Sequence, residues 1–157
     1  MKKMLIYGLL VAAALLAPVR ANDVGDLQPV RVVQVSKEAG NILLQTDTGD
    51  WGMGENITAA LENLKATTPG ILYLDTARYL LISEDVQNEI SDLRKVMKGN
   101  VHLCLAEGAV LGEEIVPFLR SHGQLPQLKN WKAGASLPLL TMREKRWIFS
   151  KKSENNA

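Results

Sequence analysis

Two periods of apolar residues alternate along this chain, and together they mark out its elements. Val30-Arg31-Val32-Val33-Gln34-Val35 and Ile42-Leu43-Leu44-Gln45-Thr46 are β-rich runs. Ser36 to Asn41 separates them with Gly40-Asn41 as the turn signal, which predicts an antiparallel hairpin. From Asn56 to Ala66 the period becomes helical: Ile57, Ala60, Leu61 and Leu64 share one face, and Thr67-Thr68-Pro69-Gly70 stops the run. Between hairpin and helix lies "GDWGMGEN", a glycine-rich stretch expected to be a turn, with Asn56 as the helix cap.

Ile71-Leu72-Tyr73-Leu74 and Tyr79-Leu80-Leu81-Ile82 read as one bent strand or two short ones. The next segment predicts a helix capped by Ser83 and closed by Gly99. Glu84, Asp85 and Glu89 fall early and Arg94, Lys95 and Lys98 late, as the helix dipole favours. Val86, Ile90, Leu93 and Met97 make its inward stripe. Val101 to Ala106 is the continuous apolar run of a central strand. Glu113 to His122 is another amphipathic segment, which tolerates Pro117 only in its first turn and would end at Gly123. After a looser segment, Gln124 to Gly134, the runs Ser136 to Met142 and Arg146 to Phe149 read as strands around the turn Arg143-Glu144-Lys145. Strands alternate with helices, yet the flanking hairpins argue against a purely parallel sheet. The expected fold is α/β (α+β), a single compact domain with a mixed β-sheet and flanking helices.

The N-terminus adds a compartment. Lys2 and Lys3 precede an apolar run from Met4 to Ala17, Pro18 breaks it, and Val19-Arg20-Ala21 supplies small residues before a cut. That is the pattern of a secretory signal peptide over residues 1–21. An uncleaved membrane anchor is the rival reading, although the run is shorter than the roughly 20 residues that span a bilayer. The expected organisation is then one domain over 22–149 and a polar tail over 150–157. No Cys stands near the cut, so the expectation is a non-lipidated extracytoplasmic protein, secreted or envelope-associated.

Without Lys2, Lys3 and Arg20, the 18 basic residues fall to 15 against 17 acidic ones, a net charge of −2. That balance gives no electrostatic case for nucleic acid, whose binders carry a basic face or stripe. Cys104 is the single cysteine, so no disulfide forms within the chain, and its apolar surroundings suit a small buried hydrophobe. With His102 and His122 as the only histidines, no spacing resembles a metal site, and no cofactor is implied.

Gly52-Met53-Gly54 raises the question of a phosphate cradle. A dinucleotide fingerprint needs a third glycine where Ile57 stands, and no Walker-type Gly-Lys-Ser/Thr follows. Asn56 can cap the amides of the helix start, and Asp50 and Glu55 would repel an anion. Gly52, Gly54 and Asn56 are therefore expected to form a structural corner, with an anion site as the alternative.

Asp75, Glu84, Asp85, Glu107, Glu113 and Glu114 are the candidate paired carboxylates of a cell-envelope hydrolase, although dipole stabilisation explains the adjacent pairs without catalysis. Ser121 and His122, successive on a helix, should point about 100° apart rather than pair as nucleophile and base. Arg143, Lys145, Arg146, Lys151 and Lys152 surround Trp147. This composition suits anionic headgroups or an acidic partner, and equally a charged edge strand that resists pairing. Trp51, Trp131, Arg143, Arg146 and Trp147 are thus the candidate partner contacts, and no catalytic, cofactor or metal residue is assigned.

The stretch from Gly52 to Val86 also resembles a known family. "GMGENITAAL" is similar to a Gly-x-Gly-x-Thr turn opening a helix that reads Glu-Ala-Leu, and "LYLDTARYLLISEDV" to a segment like "lyfgHlkvlliGeelA", each matching its pattern without a gap. Both pieces resemble the N-terminal domain of the C subunits of spore germinant receptors, the Ger(x)C family. "NVHLCLAEGAVLGEEI" and "SLPLL" are similar to that family's later elements. Asn56 stands where the family often has Thr, Ala59 where it has Glu and Thr76 where it has His. The resemblance implies an interaction module without catalytic chemistry, acting in spore germination at the cell or spore envelope. It also implies a membrane-embedded or envelope protein partner, with peripheral membrane contact as a further expectation.

Overall fold

The computed structural model describes residues 27–112, 114–122, 124–143 and 146–151. The expected signal peptide, Glu113, the helix stop Gly123, the turn residues Glu144 and Lys145, and the tail beyond Lys151 lie outside the described residues. No helix among the described residues is long and apolar enough to cross a membrane.

Among the described residues nine strands occur in chain order: β1 (Leu27–Pro29), β2 (Val32–Glu38), β3 (Asn41–Thr46), β4 (Trp51–Gly54), β5 (Ile71–Tyr73), β6 (Tyr79–Ile82), β7 (His102–Ala106), β8 (Pro138–Arg143) and β9 (Arg146–Lys151). Seven of them make one mixed sheet in the order β4-β3-β2-β6-β7-β8-β9. Its centre is parallel, from β2 through β6 and β7 to β8, while β3, β4 and β9 attach through antiparallel hairpins. β1 and β5 form a separate parallel pair. The α/β reading with a mixed sheet therefore holds.

Among the described residues three α-helices, α1 (Ile57–Thr67), α2 (Ile90–Val96) and α3 (Ile115–Ser121), cover the sheet on both sides. Val33, Val35, Leu80, Ile82, Leu103 and Leu105 turn toward α1 and α2, against Ile57, Leu64, Ile90 and Leu93. Val32, Leu81, Cys104, Ala106 and Leu140 turn the other way, toward Ile115 and Leu119 of α3. Burial of both faces is why the central strands read as unbroken apolar runs. Phe118 of α3 stacks on Phe149 of β9 with centroids 5.5 Å apart, closing the second layer.

Five local expectations need correction. The segment Trp51–Gly54 is strand rather than turn, because the reversal happens earlier, at Thr46–Asp50, where Gly49 adopts a φ of 92°. The single helix expected from Ser83 is a 3-10 stretch, Glu84–Glu89, leading into α2. Ser83 does not cap it, since its hydroxyl donates to the Asp85 carboxylate. Leu61 is only partly buried, and the helix buries Ile57, Ala60 and Leu64 instead. Ser150 and Lys151 belong to β9, so the polar tail cannot begin at 150.

Candidate functional site

Gly52 and Gly54 are where helix and sheet meet. A Cβ on Gly52 would stand 2.3 Å from the Leu64 nitrogen, and one on Gly54 2.4 Å from the Ala60 nitrogen. Both clashes are with the backbone of α1, so the glycines exist to let the helix lie directly against β4. Asn56 accepts a hydrogen bond from the Ala59 nitrogen at 2.9 Å and caps the helix as expected. Asn63 and Thr67, which the sequence reading missed, complete the join. Asn63 accepts from the Met53 nitrogen at 3.1 Å, and Thr67 donates to the Trp51 carbonyl at 3.1 Å. The outer edge of β4 is therefore closed by a helix, a standard protection against strand addition. Asn56 and Ala59 also line a hollow with Glu62, Asp92 and Lys95; Lys95 is paired with Asp92 at 2.6 Å, so no unpaired cation faces the corner from this lining and the anion alternative gains no support.

The five candidate contact residues do not converge. Trp51 is exposed at the β4 edge of the sheet. Trp131 lies half-buried against the first core cluster, and its indole nitrogen donates to the Ala135 carbonyl at 3.2 Å. Arg94 sits over the Trp131 ring, 5.9 Å from its centroid, and donates to the Leu128 and Trp131 carbonyls. Trp131 thus has structural duties inside the molecule.

The other three share the β8–β9 hairpin at the far edge. β8 pairs with β7 only at Leu139 and Leu140, but with β9 all the way to Arg143 opposite Arg146. The hairpin end therefore projects beyond the sheet. On one face Met142, 53% exposed, stands opposite the half-buried Trp147. On the other face Arg143 and Arg146 stand side by side, both exposed.

A second location follows from topology. After β6 the chain passes to the α2 side and after β7 to the α3 side, so the carboxyl ends of these strands border the crevice where open α/β sheets usually bind ligands. Gln34, Lys37, Ser83, Asp85 and Gly108 line a cavity of about 440 Å³ there. Several of its polar groups already have partners within the protein. Gln34 is buried, donates to the Gly108 carbonyl at 2.7 Å and accepts from the Val110 nitrogen at 3.1 Å. Ser83 holds Asp85, and Lys37 approaches Glu89 at 3.5 Å.

The candidate carboxylates separate. Asp75 faces one cleft and pairs with Lys98 at 3.2 Å, while Asp85 lines the carboxyl-end crevice. Glu113 lies outside the described residues. Ser121 and His122 do approach each other, contrary to the helical expectation, with Oγ and Nδ1 3.0 Å apart. His122 is the C-cap with non-helical backbone, so the spacing of a regular helix no longer applies. Both side chains also turn to the Phe118 carbonyl, at 2.7 and 2.9 Å, as helix-end partners. His102 is half-buried with Nδ1 2.9 Å from the Leu125 carbonyl. Burial pushes the Cys104 thiol up to about 12, which keeps it neutral and unreactive.

No family model, curated protein or solved structure matches this chain.

Proposed function

We propose that this protein is an exported, non-enzymatic interaction module that docks on a membrane-embedded or other envelope protein through its β8–β9 hairpin. The observation that carries the reading is the projecting hairpin end, with exposed Met142 beside Trp147 on one face and paired Arg143 and Arg146 on the other. Aromatic, Met and Arg side chains are the residue types enriched at protein interfaces. The resemblance to a germinant-receptor C subunit supports the same role at the cell or spore envelope.

The test places a photo-crosslinking residue at Met142, and separately at the exposed Ser91 of α2, in the full chain mixed with native envelope membranes. One discrete membrane protein should be captured from position 142 and not from 91, and Arg143→Glu with Arg146→Glu should abolish it. Equal capture from both positions, or capture indifferent to the two arginines, would refute the docking role. Attachment to protein-free anionic vesicles with equal strength would move the contact from protein to lipid.

A further inference from the structure

At the amino ends of the parallel strands lies a cleft of different character from the carboxyl-end crevice. Arg31 precedes β2, Arg78 precedes β6 and Arg120 lies on the last turn of α3, and all three line a cavity of about 520 Å³. Arg31, Val116 and Arg120 also line an adjoining hollow of about 340 Å³. The strands hold the first two arginines together directly: the Arg78 nitrogen donates to the Arg31 carbonyl at 2.8 Å.

None of the three guanidiniums has an ion pair or side-chain hydrogen bond among the described residues. The nearby acids are otherwise engaged. Asp75 is neutralised by Lys98, and Asp47 accepts from the Arg31 and Val32 backbone nitrogens at 2.9 and 3.1 Å through one oxygen. Counting three arginines against Asp47, with Asp75 and Lys98 cancelling, the described groups around the cleft carry a surplus of +2. All three arginines are exposed, so solvent screens their mutual repulsion while leaving them open to an anion that enters the cleft.

We infer that this cleft binds a phosphate monoester, with the phosphate held by Arg31, Arg78 and Arg120 and the carbon skeleton lying against Tyr79 and Val116. A phosphate monoester carries about −1.5 to −2 at pH 7, which matches the surplus. The planar guanidinium fork suits paired oxygens. A volume of this size falls in the range of small-molecule sites, about 300–1,000 Å³. The proposal is independent of the hairpin, which stands at the sheet edge. It also differs from the corner at Gly52, where the one cation lining the hollow, Lys95, is already paired with Asp92.

The experiment is calorimetric titration of the full chain at low ionic strength with glycerol 3-phosphate, inorganic phosphate and acetate. Vesicles with and without phosphatidic acid are tested alongside. Saturable one-site binding of glycerol 3-phosphate is expected, weaker for acetate, and weaker at pH 5 than at pH 7.5 because the phosphate loses charge. Arg78→Gln and Arg120→Gln should each weaken it about tenfold or more, as loss of a charged hydrogen bond does. Arg143→Gln on the hairpin should not. Vesicle binding that requires phosphatidic acid and Arg120, without binding of the soluble ester, would support the phosphate site and assign its source to lipid. Absence of saturable binding to every probe, undiminished binding in both arginine variants, or acetate binding as tight as the ester would overturn the proposal. If either variant fails to fold, amide shifts of Arg31, Arg78 and Tyr79 during titration of the unaltered chain decide the matter: movement supports the site and silence refutes it.

Discussion

Replacing Gly52 by alanine tests the central packing claim most directly. The added Cβ would meet the Leu64 nitrogen at 2.3 Å and the Ala60 carbonyl oxygen at 2.5 Å, where ordinary contact begins at 3.4 Å. The obstacle is helix backbone, which cannot rotate aside as a side chain can. α1 must withdraw from β4 by about 1 Å, and a gap of that size forfeits roughly a quarter to a half of a van der Waals well. Ile57 and Leu64 are buried there, and each is worth about 1.5–3 kcal/mol when fully buried. The bonds that Met53 N–H donates to Asn63 and that Thr67 donates to the Trp51 carbonyl would lengthen too, at about 0.5–1.5 kcal/mol each. Gly52 has no positive φ, so its backbone accepts alanine, and restriction of the unfolded chain returns about 0.4–1 kcal/mol. The net loss should be about 2–4 kcal/mol. Urea unfolding followed by far-UV circular dichroism measures it, with Gly112→Ala as control because no atom lies within 4 Å of a Cβ built there. A Gly52→Ala protein within about 0.5 kcal/mol of the control, the usual scatter for surface changes, would refute the reasoning.

Three further outcomes are expected. In the same assay, Leu64→Ala should cost about 2–5 kcal/mol, as buried leucines do, and the partly buried Leu61→Ala clearly less; the reverse order would misplace the buried face of α1. Asn56→Ala should cost about 0.5–2 kcal/mol and Asn56→Asp little, since aspartate can also accept from the Ala59 nitrogen; thermal melts compare the three proteins. Cys104 should resist a thiol-specific reagent at pH 8 until denaturant is added. Its raised pKa favours the neutral folded form, so its contribution is complete below pH 9.0 and declines as pH rises toward about 12, which an alkaline unfolding series would detect against Cys104→Ala.

Long-range order was partly legible because apolar periodicity reports burial. Val101 to Ala106 reads as a central strand since both its faces are covered, and β7 lies between β6 and β8. Trp51–Gly54 was misread for the opposite reason: glycine is the usual mark of a turn, while here two glycines make room for a helix that packs on a strand. No local pattern distinguishes those uses, because the partner, α1, must first be placed. Asn63 and Thr67 were overlooked since a polar residue on a solvent-facing helix position looks the same whether or not a strand edge lies beneath it. The arginine cleft was invisible for a related cause. Arg31, Arg78 and Arg120 are separated by more than forty residues at each step, and only the parallel arrangement of β2 and β6 together with α3 gathers them.

The segment just before β8 leaves a seam in the sheet. Leu103 donates to the Pro126 carbonyl and Leu128 to the Val101 carbonyl, so residues 126–128 pair with the start of β7 where a longer β8 would have lain. The β8–β9 arm is consequently stitched to the domain by few backbone bonds, and otherwise by side chains: Leu137, Leu139 and Leu140 from β8 and its approach, Trp147 and Phe149 from β9. Local opening requires far less than global unfolding when so few bonds must break. The arm's amides should therefore exchange with solvent well ahead of those in β2 and β6. A partner that docked on the arm would stiffen it first, turning hydrogen exchange along one hairpin into a gauge of occupancy.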